Sequence, residues 1–425
     1  MGNGARGRWV KCGNSKSLFM AKKPTLLVAT VGFFIFGCPE MLDHIKVGIL
    51  VSTTGSYGTV GRTIKNGVLI AVEELKNAGL HLECIAYDPQ GNNSNYLKMA
   101  EQLLRSGIKN IIGCYTSSSR KKILPVLERY EGLLWYPTHY EGFENSENVI
   151  YTGTSPNHHI YPLIDFMQST YGNNAFCVGS DYIWAWESNR VFKNMFMDKG
   201  GSIVGEDYLP MDCDRMDAVI EKILKIRPSF IFNTLVGGSS YHFFRKFRKA
   251  CEKENIKQTE HMPIASCNLS EGDLYEIGEE AADGHYSSSV YFSSVDTVEN
   301  KRFVSKYKNK FPDQCLPTVE SEAAYIATRM LAAGIIQCAP EERQEIQEIK
   351  KAAASFRFRA PQGEVMLDPL NFHAFLTPRI GRSTKQGEFE IVKQSNTPIQ
   401  PDPYLINNVN CLVHSRDRSE EVGTA

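Results

Sequence analysis

The chain has 425 residues, with 47 Lys plus Arg against 48 Asp plus Glu and a formal net charge of -1. That balance excludes the charge excess that drives direct binding to nucleic acid or to acidic membrane surfaces. The length exceeds what one ordinary core serves, and 42% hydrophobic with 22% charged residues is a globular composition, so two α/β domains are expected.

The N-terminus carries a targeting pattern. Lys22-Lys23 precede an apolar run from Pro24 to Phe36, followed by Gly37-Cys38. A basic flank, about a dozen apolar residues and a small residue before the cut form an export signal, too short to span a bilayer comfortably. Ile35-Phe36-Gly37-Cys38 also resembles a lipoprotein box, which makes Cys38 a candidate lipidation site and the possible lipid anchor. Met20 is a plausible second start, and residues 1–43 are set apart from the fold as an extension and signal segment.

From Ile45 a strand–helix alternation begins. Ile45–Val51 is an apolar run, and Ile64, Val68, Ala71, Val72 and Leu75 recur at helical spacing, with Gly67 permitting close packing on that face. Leu82–Tyr87 and Ile108–Cys114 read as the next strands, separated by a helix carrying Tyr96, Leu97, Ala100, Leu103 and Leu104. Ser117-Ser118-Ser119 is placed to cap a helix carrying Ile123, Val126 and Leu127. Leu133–Tyr136 and Val149–Gly153 are short strands, and His158–Tyr171 a helix. The pattern then restarts with strands Ala175–Gly179, Ser202–Glu206, Ser229–Leu235 and Pro263–Ser266, and with Gly284–Phe292 extended. Long helices near 297–310 and 319–338 return to the first half. Such alternation implies parallel sheets with crossover helices. Crossings near 150 and 290 divide the chain into one lobe of 44–150 plus 293–365, a second lobe of 151–292, and a segment 366–425 spanning hinge and tail.

Familiar catalytic signatures are missing: there is no G-x-S-x-G, H-E-x-x-H or phosphate-loop pattern. No nucleophile arrangement supports an enzyme, and no cofactor is implied. Gly55, Gly58 and Gly61 lack dinucleotide spacing and read as a turn facing a cleft. Asp212, Asp214 and Asp217 lack the glutamate that closes a calcium loop, since Ile223 stands there. His158 and His159 diverge on a helix and suit a cap or a surface better than a metal. Of the eleven cysteines, no two are spaced C-x-x-C; Cys84, Cys114, Cys177 and Cys267 sit in apolar runs and read as free thiols.

Polar and aromatic residues instead gather at strand ends: Tyr115-Thr116-Ser117, Tyr136 through Phe143, and Ser180-Asp181-Tyr182-Ile183-Trp184. In open parallel sheets ligands bind beyond the carboxyl ends of the strands, where hydroxyls and free N–H groups meet aromatic walls. Asp181 reads as a turn cap. An amino-acid ligand would recruit it against the ammonium group.

These segments, with Ile112-Gly113-Cys114-Tyr115, Glu187-Ser188-Asn189, Ala360-Pro361-Gln362-Gly363 and Pro401-Asp402-Pro403-Tyr404, resemble the short-chain amide and urea binding proteins. Those proteins belong to the branched-chain amino-acid (type I) class of periplasmic binding proteins, which includes amide-sensing regulators of amidase expression. The resemblance covers Ile45 to Tyr404. It implies a two-lobed α/β fold with two doubly wound sheets joined by a multi-strand hinge. The ligand, urea or a short-chain amide, would sit between Tyr115, Thr116, Ser117, Tyr136 and Thr138 of one lobe and Tyr182, Trp184 and Val236 of the other. Trp184 and His139 depart from the regulators, which have tyrosine and proline there. The partner implied is an ABC transporter permease, with a periplasmic or membrane-anchored location. The alternative is a cytoplasmic sensor that restrains an antitermination regulator protein. The resemblance leaves open whether the chain forms a homo-oligomer.

Overall fold

The structure, a computed structural model, describes residues 45–343 and 345–406. The export-like segment, Cys38 and residues 407–425 therefore lie outside the described residues. In the first lobe, β1 (Ile45–Leu50), α1 (Gly58–Asn77), β2 (Leu82–Tyr87), α2 (Asn93–Arg105), β3 (Asn110–Gly113), α3 (Ser117–Arg129), β4 (Leu133–Tyr136) and β5 (Val149–Tyr151) follow in order. Their strands form a five-stranded, all-parallel sheet ordered β2-β1-β3-β4-β5. The apolar stripe of α1 is buried at Ile64, Val68, Ala71 and Leu75, as its spacing predicts. Gly67 lies where a Cβ would stand 1.9 Å from the Ser321 carbonyl oxygen, so a helix from much later in the chain rests directly on α1.

The second lobe contains α4 (Pro156–Tyr171), β6 (Asn174–Ser180), α5 (Ile183–Asp198), β7 (Ser202–Leu209), α6 (Asp217–Ile226), β8 (Phe230–Thr234), α7 (Gly237–Lys253), α8 (Gln258–His261), β9 (Ile264–Ser266), α9 (Glu271–Ile277) and β10 (Tyr286–Ser289). The chain then returns to the first lobe through α10 (Val298–Lys310), α11 (Val319–Gln337) and α12 (Ile346–Ala354). It ends in β11 (Phe358–Ala360), β12 (Gly363–Leu367), β13 (Ala374–Phe375), β14 (Arg379–Ser383) and β15 (Phe389–Gln394). The second sheet is ordered β15-β14-β10-β9-β8-β6-β7 and is mixed: five strands run parallel, and β14 and β15 add an antiparallel edge. Thus part of the 366–425 segment, expected as hinge and tail, contributes two strands to the second lobe's sheet.

Three passages of chain link the lobes, after β5, after β10 and after β13. Arg379, only 5% exposed, ties the second and third of these together. It donates to the carbonyls of Thr377 at 3.0 Å and Gln362 at 2.7 Å, and also to that of Val290. At the end of β5, Tyr151 stacks on His373 with ring centroids 4.1 Å apart. His158 and His159 are not surface residues, since both are buried. His158 completes a capping box with Ser155 at the start of α4 and reaches the Ile399 carbonyl at 3.0 Å. All eight described cysteines are free. No described helix is long and apolar enough to cross a membrane.

The lobes are closed on each other. The Tyr182 hydroxyl accepts from the Ser118 N–H at 3.4 Å, Thr59 Oγ1 donates to Glu276 at 2.8 Å, and the Arg190 guanidinium lies 5.0 Å from the Phe143 ring.

Candidate functional site

Each sheet reverses its direction of winding once, between β1 and β3 in the first lobe and between β6 and β8 in the second. Helices leave on opposite faces at such points and open a crevice beyond the strand ends. The segments following β1, β3, β6 and β8 therefore converge: Tyr57, Tyr115-Thr116-Ser117, Tyr182 to Trp184, and Val236.

At the end of β3, Gly113 has φ +147° and a Cβ there would stand 2.2 Å from the Leu50 carbonyl oxygen. Cys114 follows in the left-handed region at φ 57°, a costly conformation for a side chain. This turn swings Tyr115 out of the sheet. Two predicted residues hold it there from behind: the Tyr136 and Thr138 hydroxyls donate to the Tyr115 carbonyl at 2.8 and 3.1 Å. Both are buried and neither lines the cavity, so they brace the wall. Thr116, rather than the serines after it, is the cap of α3, accepting from the Ser119 N–H at 3.1 Å.

Ser117 Oγ donates to Glu141, whose other oxygen receives Arg120 Nη2 at 3.2 Å. Arg120 is fully buried, donates from Nε to Glu144 at 2.6 Å and lies 4.7 Å from the Tyr136 ring. That cation holds the Glu144 carboxyl down to about 2 against the opposing effect of burial. With its proton committed to Glu141, Ser117 Oγ has lone pairs left for a ligand N–H.

On the opposing lobe, Ser180 Oγ accepts from the Val236 N–H at 3.1 Å and fixes the two strand ends side by side. Trp184 is 3% exposed, and its indole Nε1 has no hydrogen-bond partner among the described residues. A buried donor left unpaired costs about 1–3 kcal/mol, so it marks a place for an acceptor. Helices α5 and α7 begin at Tyr182 and Val236 without a side-chain cap, and their positive ends also favour an oxygen. Asp181 is exposed and accepts from Trp186 Nε1 at 3.1 Å; it neither caps the turn nor faces the cavity.

Six of the eight predicted residues line one cavity between the lobes: Tyr115, Thr116, Ser117, Tyr182, Trp184 and Val236, joined by Tyr57 and His139. Tyr57 was missed, although it stands within the glycine turn expected to face a cleft. His139 had registered only as a departure from a family pattern. The cavity measures ≈20 Å³. Taken as the space open to the centre of a water, that is a sphere of roughly 1.7 Å radius, or roughly 3 Å once the water's own radius is added. A molecule of about four heavy atoms fits in this space, and the cavity is partly open to solvent. A larger open groove of ≈560 Å³ runs along α10, away from every predicted residue.

Among the described residues, no lysine, arginine, aspartate or glutamate lines the cavity. Burial raises the hydroxyl pKa of Tyr57, Tyr115 and Tyr182 and pushes His139 down to about 4, so the walls are uncharged at neutral pH.

Comparison with known proteins places this geometry. A profile of the periplasmic binding protein domain matches residues 45–409. A "Leu/Ile/Val-binding protein homolog 6" from Brucella abortus (strain 2308) is 22% identical over 358 residues, covering 83% of this chain and 90% of that one. A solute binding protein of an ABC transporter from Rhodopseudomonas palustris HaA2, solved in complex with p-hydroxybenzoic acid, superposes with a TM-score of 0.75 at 20% identity, over 86% of this chain and all of its own. A shorter stretch of 133 residues, 31% of this chain, is 29% identical to a protein named limonene hydroxylase from Geobacillus stearothermophilus. The chain spans only 24% of that relative's length.

Proposed function

Because this chain belongs to the periplasmic binding protein family, we propose that it is the solute-binding component of an ABC importer and closes around urea or a short-chain aliphatic amide. One observation carries the ligand class: a cavity of ≈20 Å³ between the lobes with, among the described residues, no charged wall and an unpartnered indole N–H. A carboxylate such as a benzoate would lie there without a cation, and an amino acid would need both a cation and an anion. A neutral amide needs neither. Its carbonyl oxygen takes the Trp184 N–H, and its N–H groups face Ser117 Oγ.

The protein's role in this reading is capture, not chemistry. Lobe closure removes water, and interlobe contacts such as Ser118 to Tyr182 hold the closed form. The same pocket would serve a cytoplasmic amide sensor, which the likeness at Tyr136-Pro137-Thr138 and Glu141-Gly142-Phe143 also supports. The Lys22 to Cys38 pattern favours an exported, periplasmic or lipid-anchored protein.

The test is calorimetry with urea, formamide, acetamide, p-hydroxybenzoate and leucine, with ammonia release followed in parallel. One-site binding of a small amide or urea without turnover is expected. Tight binding of leucine or the benzoate with silent amides would refute the assignment.

A further inference from the structure

Among the described residues, His139 is the one cavity-lining side chain with a ring nitrogen able to accept a hydrogen bond. Its Nδ1 lies 3.9 Å from Glu320 Oε1, at the start of α11. That is beyond direct hydrogen-bonding distance; above about pH 7, where Glu320 gives up the proton that burial lets it keep, its negative charge favours a proton on His139 Nδ1. Glu320 is 2% exposed, and among the described residues its other oxygen, Oε2, has no hydrogen-bond partner. Nε2, on the far side of the ring, then keeps its lone pair. The His139 ring lies 5.1 Å from the Trp184 ring and 6.2 Å from the Tyr115 ring, in both cases edge-on. A neutral ring with one acceptor nitrogen therefore stands next to the ring of Trp184, with Ser117 Oγ as a second acceptor in the same cavity.

Resting on the neutral-amide reading, we propose that His139, positioned by Glu320, is the specificity-determining residue and selects a ligand with an amino group on both sides of its carbonyl. Urea satisfies both acceptors while its oxygen takes the indole N–H. Acetamide presents a methyl group to one of them and leaves it buried and unpaired. Sites that hydrogen-bond a ligand N–H discriminate strongly against analogues lacking it, whereas a methyl-sized difference in an apolar pocket counts for little.

Calorimetry on the full chain with urea and acetamide tests this directly. The wild type is expected to prefer urea by at least about tenfold, His139→Leu to abolish that preference, and His139→Gln, which keeps an acceptor, to restore it. Circular dichroism verifies that each variant folds. If His139→Leu does not fold, the wild-type ratio and the ¹⁵N shifts of its imidazole at pH 8, where Glu320 is ionised, still decide: the Nδ1–H tautomer is expected, with Nε2 shifting on urea binding. In Glu320→Leu the tautomer should move toward Nε2–H and the urea preference should fall. Equal affinity for urea and acetamide in the wild type, an Nε2–H tautomer, or an unchanged ratio in folded His139→Leu would overturn the proposal while leaving the amide reading intact. If neither compound binds, both readings fall.

Discussion

Replacing Trp184 with Phe isolates the indole N–H. The ring is 3% exposed and packs with Ala185 and Val236 against Tyr57, Tyr182, Tyr208 and Met211, so Phe keeps most of the apolar contact. In the wild type the donor has no protein partner, and on this account the ligand carbonyl supplies one. Removing it leaves that carbonyl buried and unpaired, a loss of about 1–3 kcal/mol. The dissociation constant should rise about 5- to 150-fold. Folding stability should move much less, because the gap left by the smaller ring is offset by deleting an unsatisfied donor. Calorimetry gives the affinity and urea-free guanidinium denaturation the stability. A folded variant with unchanged amide affinity would refute the placement of the carbonyl beside Trp184.

Arg120→Ala removes a fully buried cation from Glu141 and Glu144 and should cost about 3–5 kcal/mol in guanidinium denaturation, with amide affinity falling because Ser117 loses its support. Gly67→Ala forces a methyl to 1.9 Å from the Ser321 carbonyl and should push α1 from α11, lowering the melting temperature by several degrees. Glu320→Gln tests a pH effect. Burial first, then Asp273, pushes this carboxyl up from 4.5 to about 7, so its folded form holds a proton that the unfolded chain releases. Its stabilising contribution is complete below 4.5 and is lost as pH rises through about 7. Between those limits the wild type should lose roughly 3 kcal/mol relative to the variant, measured by denaturation across pH; a pH-independent difference would contradict it.

Much of the fold was legible because its elements are local. Strands β1, β3, β4 and β5 follow from short continuous apolar runs, and the stripe on α1 from its period-3.6 burial. The antiparallel β14–β15 edge was not, since the partner of β14 is β10, some ninety residues earlier, and nothing local in Arg379–Ser383 declares that pairing. The site divides the same way. Strand-end position marks Tyr115, Ser117, Tyr182 and Trp184, because the switch points of both sheets lie there. Tyr136 and Thr138 occupy equivalent strand-end positions, yet their hydroxyls turn back to the Tyr115 carbonyl, an orientation set by tertiary packing. His139 gained its meaning only when α11, from far along the chain, brought Glu320 beside it.

The central claim is a neutral amide held between the lobes, and a crystal structure of the protein grown with urea tests it most directly. The account predicts one small planar molecule between Ser117 and Trp184, its oxygen within about 3.2 Å of Trp184 Nε1. Density for urea only in the open groove along α10, with the cleft between Tyr115 and Trp184 filled by water or by a larger anion, would contradict it.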